Sequence, residues 1–515
     1  MNTFVQKAKL FYVRNESNNT YVFVMKGTIC LLGCMALSCM AFAMSEPCNI
    51  VLINADDLGA GEVGAYGQQK IQTPNMDALA SKGQKWTQFY SGAPVCSPSR
   101  NVLMTGNHAA KNDVQGLLRV DKNERLNDFK GDKPIAAEAV CLPAMMKKAG
   151  YVTGVFGKWG LGEFGTTGDP NKHGIDEFYG YTDQRECHSF YPKFLWDNGD
   201  KIIINEKPIP GHMSKPQGEV RAEDYRSDQH ASPLIVDRAV QFINKQAKKK
   251  QPFFLYYAPL EPHVAMQPLQ EWVDRYPKTW DEKPYRGERG YLPHPRPRAA
   301  YAGMISQLDD QIGKIVTALR KNGLEKNTII IVTADNGTTH DVGGVDHRFF
   351  NSTMGLRGLK GQLYEGGLRV PGIIVYPGKI RPAVIDQPAY HADIAPTLCD
   401  IAKVDQPNMT GQSLLPILTG DTKTLKNRKP MVWINNDYTG QASVRFGDMK
   451  VLRRNLGGEY SGKITPWEVY DLKNDPNEKQ NIAKDHPEIV KEAINLFAKE
   501  YQPSSGYPRL KYDAP

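Results

Sequence analysis

The sequence predicts an α/β protein with a large, mostly parallel central sheet, helices on both faces, and a small C-terminal α+β domain holding a short antiparallel sheet. Three observations carry this expectation. Apolar, β-rich runs alternate with helical stretches, the pattern of a parallel sheet covered on both sides. At 515 residues the chain is too long for one ordinary core and suits a large domain plus a smaller one. Four of the runs lead into charged or titratable residues, and open α/β sheets place their sites at strand carboxyl ends.

Taken in order, strands are expected at 50–53, 151–156, 253–257, 328–333 and 371–376. Helices are expected at 76–81 after Thr73-Pro74, at 142–149 ending on Gly150, at 233–248, and at 299–321 ending on Asn322-Gly323. Residues 261–297 turn rich in Pro, aromatic and charged residues, which suggests a long surface excursion near the mouth of a site. From about Asn427 a small antiparallel sheet and a helix over 487–501 should pack onto the main domain and add a wall to the site. The expected division is a leader over 1–43, a main domain over 44–426 and a C-terminal subdomain over 427–515. No internal repeat is visible.

Lys26 precedes the mostly apolar run 28–40, and Ala41-Phe42-Ala43 offers the small-x-small pattern that a signal peptidase cuts after. The run is too short for a comfortable membrane span, so no transmembrane segment is expected. Met25 is an alternative start. The expectation is export to the periplasm or beyond, with lipidation at Cys34 or Cys39 as the minority case. Lys plus Arg total 64 against 56 Asp plus Glu, giving +8. The first 43 residues hold Lys7, Lys9, Arg14 and Lys26 against Glu16, which leaves about +5 for the remainder. That modest excess suits an anionic ligand, and no interleaving of aromatic and basic residues calls for nucleic acid. Of the 8 cysteines, Cys30, Cys34 and Cys39 lie in the leader, leaving Cys48, Cys96, Cys141, Cys187 and Cys399. An odd count in an exported chain means at least one thiol is unpaired or modified.

The run 50–53 leads into Asn54-Ala55-Asp56-Asp57, and 328–333 into Ala334-Asp335-Asn336-Gly337. The run 151–156 leads into Gly157-Lys158-Trp159, and 253–257 towards Glu261-Pro262-His263. Asp56, Asp57, Asp335 and Asn336 form a set of hard oxygen donors without His or thiolate, which favours Ca²⁺ or Mg²⁺ over zinc. Carboxylates crowded at neighbouring strand ends repel one another, and a divalent cation holds them ionised. Cys96-Ser97-Pro98-Ser99-Arg100 reads as a helix start with Pro98 at the first helical position.

The pentad resembles the C-x-P-S-R signature of type I sulfatases, in which a maturation enzyme oxidises the Cys to formylglycine. Further motifs follow in that family's order: Asn49 to Asp57, Thr73-Pro74-Asn75, the pentad, Gly157-Lys158-Trp159, Asp335-Asn336-Gly337, Gly358-Leu359-Lys360-Gly361, and Tyr364 to Pro371. Val469-Tyr470-Asp471-Leu472 with Asp475-Pro476 and Asn481 resembles the family's small C-terminal domain. The chain is thereby identified as a member of the formylglycine-dependent sulfatases of the alkaline phosphatase superfamily over nearly its whole mature length. The resemblance implies an alkaline phosphatase-like sheet and a Ca²⁺ ion on Asp56, Asp57, Asp335, Asn336 and the modified Cys96. It implies that Arg100 supports a gem-diol at 96, that Lys158 and Lys360 neutralise sulfate oxygens, and that His263 protonates the leaving alcohol. One diol hydroxyl would attack sulfur in line, and loss of the second hydroxyl's proton would eject sulfate and restore the aldehyde.

One departure stands out. Many family members read Gly-Lys-Trp-His-Leu-Gly where this chain has Gly157-Lys158-Trp159-Gly160-Leu161-Gly162, so the usual histidine is absent. His108 offers either a substitute or a structural group, with His340 and His347 as weaker candidates. The Gly160 variant, with Gly168-Asp169-Pro170, Gly174 to Tyr181 and Gln184-Arg185-Glu186-Cys187-His188, resembles carbohydrate sulfatases acting on galactose or N-acetylgalactosamine 4-O-sulfate. That likeness implies sugar contacts by Arg185 and His188 and a sulfated galactan such as carrageenan, or a glycosaminoglycan-like sugar, as partner. Tyr191, Trp196 and the aromatics from Trp272 to Tyr291 offer stacking faces for further sugar units. Two other readings stand beside it: a phosphomonoester or phosphonate hydrolase of the same superfamily, and a sulfated-glycan binding protein with Cys96 unconverted.

Overall fold

Five strands, Thr328–Ala334, Asn49–Ala55, Phe253–Ala258, Val152–Lys158 and Glu177–Tyr181, run parallel in that spatial order and form the centre of the sheet. Apart from half-buried Val152 and Glu177 their residues are buried, as strands covered on both faces must be. The computed structural model describes residues 47–513 except 121–130, 213–215, 217, 422–424, 426 and 458–461. The expected leader, with Met25, Cys30, Cys34 and Cys39, lies outside the described residues. No helix among the described residues is long and apolar enough to cross a membrane.

The flanks of the ten-stranded sheet depart from the parallel expectation. Ile373–Val375, within the run 371–376, pairs antiparallel with Thr328–Ala334, and Gln84–Trp86 pairs antiparallel with it in turn. The cause is where the chain comes from: Gly337 donates to the Gly367 carbonyl, so the preceding loop sits at the carboxyl end of Thr328–Ala334 and re-enters the sheet from there. On the other side, Phe194–Asp197 and Asp200–Ile203 add an antiparallel hairpin.

Consecutive residues of a strand point to opposite faces, and the tyrosines of Phe253–Ala258 mark the two layers. Tyr256 accepts from Arg100 on the helix Cys96–Thr105, whereas Tyr257 donates to Gln311 on Pro297–Lys321. Pro297–Lys321 carries Pro74–Lys82 and Ala231–Gln246 with it, while Leu142–Lys148 and Ile394–Ala402 pack beside Cys96–Thr105. The expected helices thus form within about two residues of their reading. Residues 261–297 are not a loose excursion, because Trp272, Val273, Tyr276, Tyr285 and Leu292 are buried.

Met431–Asn435, Gln441–Phe446, Met449–Arg454 and Glu468–Asp471 form a four-stranded antiparallel meander, followed by the helix Pro487–Glu500. Its apolar face shares a core with Tyr90, Val102, Leu363, Leu368 and Tyr390 of the preceding chain. Met44–Pro515 accordingly forms one compact unit.

Candidate active site

Register builds the site. Asn49–Ala55 and Thr328–Ala334 pair residue for residue from Asn49↔Thr328 to Ala55↔Ala334, so Asp56 and Asp335 leave the sheet side by side. Pairing of Ala258 with Gly157 puts Lys158 on the same rim, and an Asp56↔Pro262 bridge brings in the loop carrying His263. Asp57 turns off the strand with φ +69°, an αL conformation unusual for a non-glycine residue. The helix Cys96–Thr105 begins at Cys96 itself, making Pro98 the third helical residue rather than the first. Its missing N–H still falls in the first turn, where helical N–H groups have no intrahelical partner.

Around the Cys96 thiol the charges interlock. Sγ lies 3.4 Å from Asp56 Oδ1, 3.5 Å from Lys360 Nζ and 3.8 Å from Asn336 Oδ1. Lys158 Nζ donates to Asp56 Oδ2 at 2.6 Å, and Lys360 Nζ lies 2.7 Å from Asp57 Oδ1. Asn336 Nδ2 donates to Asp57 Oδ1 at 2.9 Å, and the Asp57 amide to Asp335 Oδ1 at 3.1 Å. Arg100 grips Asp335 Oδ2 through Nε at 3.0 Å and Nη2 at 2.7 Å and donates to the Lys158 carbonyl at 2.9 Å. All these side chains are buried.

Their protonation follows from burial opposed by neighbours. Burial alone would raise Asp56, but Lys158, His263, Arg100 and Lys360 hold it well below the usual carboxylate range. Burial is likewise outweighed at Asp57, chiefly by Lys360. Asp335 goes the other way, raised by burial and by Asp56 to about 6 despite Arg100. The Cys96 thiol is pushed well up by burial, then by Asp335 and Asp56. Burial and Lys360 hold His263 down to about 4, so its imidazole is neutral at pH 7.

A cation fits this donor set. Three buried carboxylates and an amide oxygen converge, and burial together with Asp56 raises Asp335 to about 6, which a divalent cation would offset. Donor atoms of Asp56, Asp57, Cys96 and His263 lie within 4.8 Å of one another, which puts the His263 imidazole at the edge of the expected ligand set. His263 Nδ1 meets the Val264 carbonyl, which turns Nε2 towards Asp57 Oδ2 at 3.8 Å.

Of the expected sugar contacts, His188 enters the site: its ring stacks on His263 with centroids 4.7 Å apart, and its Nδ1 lies 2.9 Å from His212 Nε2. Tyr291 packs against His212 at 4.3 Å and faces His188 and His263. The Arg185 side chain is exposed next to this stack, and burial and Arg185 together lower the His212 pKa. Tyr191, Trp272, Tyr276 and Tyr285 are buried and offer no free face. His108 does not reach the site; it lies beyond the far end of the helix Cys96–Thr105 and faces Glu500 at 3.5 Å. His347 sits 2.9 Å from Asp341, while His340 is close enough for Lys360 to lower its pKa further, after burial. Sequence reasoning missed His212 and Tyr438. Tyr438 lies against Gly361, where an added Cβ would come within 2.6 Å of its ring, and no local pattern signals that contact.

The sulfatase family profile matches residues 48–404, and that for the C-terminal part of N-sulphoglucosamine sulphohydrolase matches 357–500. Arylsulfatase A of Homo sapiens is 30% identical over 479 residues, covering 85% of this chain and 84% of its own. The N-acetylgalactosamine-6-O-sulfatase of Bacteroides thetaiotaomicron is 29% identical and covers 88% of this chain and 93% of its own. The crystal structure of Ps i-CgsB in complex with k-i-k-neocarrahexaose superposes with a TM-score of 0.72 at 25% identity, over 90% of this chain and 95% of that one. The chain belongs to the sulfatase family. It is an enzyme of that class, a sulfuric ester hydrolase.

Proposed function

We propose that this sulfatase removes O-sulfate from a sulfated carbohydrate, with galactose or N-acetylgalactosamine 4-sulfate, as in carrageenan-type galactans, the favoured substrate. The observation that carries the reading is the Cys96 thiol at a helix start, flanked by Lys360, Asp56 and Asn336 and bordered by the His188–His212–Tyr291 stack. Relatives named for N-acetylgalactosamine 6-sulfate and a structural neighbour holding a neocarrahexaose support a sulfated galactose-type sugar. A formylglycine made from Cys96 would supply a hydrated aldehyde as nucleophile, which a thiol buried beside two carboxylates does not. Asp56, Asp57, Asp335 and Asn336 would hold Ca²⁺, with residue 96 beside it, and the ion would supply Lewis-acid polarisation of a sulfate oxygen.

The chain's own groups do the rest. Lys158 and Lys360 stay protonated and draw sulfate oxygens towards residue 96. Arg100 holds Asp335 in place from the nucleophile helix. The negative charge of the ester favours the His263 imidazolium against burial and the two lysines, and that imidazolium gives a proton to the leaving sugar oxygen. His188 and Arg185 border the sugar. Export through a cleaved leader and maturation by a formylglycine-generating enzyme complete the proposal. Peptide mass around residue 96 in native protein, with sulfate release from 4-sulfated galactose against 6-sulfated N-acetylgalactosamine, tests it. Aldehyde and 4-sulfate release are expected; an unmodified thiol or preferential 6-sulfate release would overturn the nucleophile or the regiochemistry respectively.

A further inference from the structure

Gly160 has φ +68°, and the space its side chain would need is taken. A Cβ there would lie 2.2 Å from Gln184 Nε2 and 3.1 Å from its Cδ, with Arg100 Cδ next at 3.6 Å. Gln184 is buried, and its Nε2 donates to Ser97 Oγ at 2.6 Å and to the Gly160 carbonyl at 3.3 Å. Its own amide donates to Asp132 Oδ2 at 2.6 Å, and Arg119 holds both Asp132 and the preceding Asp183, at 3.1 and 2.9 Å. The carboxamide thus arrives on a pinned loop. At the other end of the contact, the nucleophile helix has Val95 as its N-cap, which makes no side-chain cap bond. A first turn without a cap is short of stabilisation from within the chain, and Ser97 is its second residue.

We propose that Gln184 is a positioning residue for the nucleophile: its carboxamide replaces a side chain at 160 and, through Ser97, fixes the uncapped first turn that carries residue 96. The inference rests on residue 96 being the nucleophile, as proposed above. An amide neither gains nor loses a proton near pH 7, so Gln184 orients the turn and leaves proton transfer to other groups.

Gln184→Ala, Gly160→His and the double variant test this by three readouts. Hydrogen exchange of the peptide covering residues 96–105 should quicken in Gln184→Ala, whatever the activity. With 4-nitrophenyl sulfate and 4-sulfated galactose, Gln184→Ala should lower kcat about tenfold and leave KM within about twofold, since ground-state binding is untouched. Gly160→His should lower the melting temperature by collision with the carboxamide. Removing Gln184 should return at least half of that loss, the remainder being αL strain. Unchanged exchange and kcat in Gln184→Ala would overturn the positioning role. An equal melting loss from Gly160→His with and without Gln184 would overturn the steric exchange. Turnover by the wild-type enzyme is read separately and bears only on the proposed reaction.

Discussion

Two buried ion clusters sit in this molecule, built from the same materials and doing opposite things. Between the main sheet and the C-terminal meander, Lys450 Nζ lies 2.9 Å from both Glu365 Oε1 and Glu478 Oε1. Glu365 Oε2 also accepts from Arg369 at 2.7 Å and Tyr90 at 2.7 Å, and the Glu365 amide donates to Glu478 Oε2 at 2.7 Å. Burial is outweighed there by Lys450, Arg369 and Arg445, which keep Glu365 low, while burial pushes Glu478 up to about 7. The site shows the same split, with Asp56 held down and Asp335 raised. The difference lies in the backbone and the neighbours. Glu365 and Lys450 belong to a helical turn and a strand, and their partners saturate them. The site's carboxylates come from strand ends, and they surround a thiol whose contacts are all 3.4 Å or longer and an imidazole whose Nε2 lies 3.8 Å from the nearest carboxylate. Saturation makes an anchor; residual demand makes a place for a ligand.

The largest effect should come from the site. Cys96→Ala should cut kcat/KM by about 10⁴-fold or more, because the nucleophile is lost, with little change in melting temperature. Sulfate release and a melting curve on the same sample check both halves.

Lys450→Met should do the reverse. It leaves buried Glu478 without its cation and Glu365 with Arg369 as its remaining cation in contact, at a cost of about 3–5 kcal/mol in unfolding free energy, while kcat per folded molecule stays near wild type. Urea unfolding with active-site titration measures it; an equal loss of kcat at full folding would erase the distinction between the clusters. Chelation sharpens the same contrast. EDTA should lower both activity and melting temperature of the wild type, and excess Ca²⁺ should restore them by mass action. In Lys450→Met the stability deficit should persist at saturating Ca²⁺.

Acid should act on a third set of groups, outside both clusters. Burial lowers His108 and His230 to about 4 and His294 and His391 to about 3. Their folded values lie below the unfolded 6.5, so the unfolded chain binds more protons between the two. Their contribution to stability is therefore fully present above pH 6.5 and is lost as pH falls towards 4. Raised carboxylates such as Glu478 and Asp335 act in the opposite direction, so the readout is a difference: from about pH 7 to 4.5 the melting temperature of a variant lacking one of these imidazoles should fall less, or rise more, than that of the wild type.

How far the sequence carried these conclusions depended on the distance over which each contact is specified. Asp56, Lys158 and Asp335 were legible because each follows an apolar run, and parallel register converts equal run ends into neighbours. The antiparallel pairing of Ile373–Val375 was not, since the direction of entry is set by the loop before it. His108 was left open as a substitute or a structural group, and distance decides for the second: the ten-residue helix Cys96–Thr105 carries the chain about 15 Å away from residue 96 at 1.5 Å per residue. Gln184 was visible only as part of a motif, and its contact with Ser97 spans 87 residues. Excluded volume at Gly160, which no pattern encodes, reveals it.

The smallest effect belongs to the seam between the two regions. Tyr438 holds φ +60° in the turn joining Met431–Asn435 to Gln441–Phe446, 44% exposed, with its ring over Gly361 beside Lys360. An exposed ring held in a strained conformation next to the site gives up some stability for its position. Tyr438→Gly should relieve the backbone strain and raise the melting temperature slightly. If the ring stacks on a sugar, the same change should raise KM for a sulfated saccharide severalfold, about 1 kcal/mol, and leave kcat and 4-nitrophenyl sulfate turnover unchanged. A rise in melting temperature with no change in KM would make Tyr438 a strained packing residue, and the C-terminal meander would then serve only as an anchor.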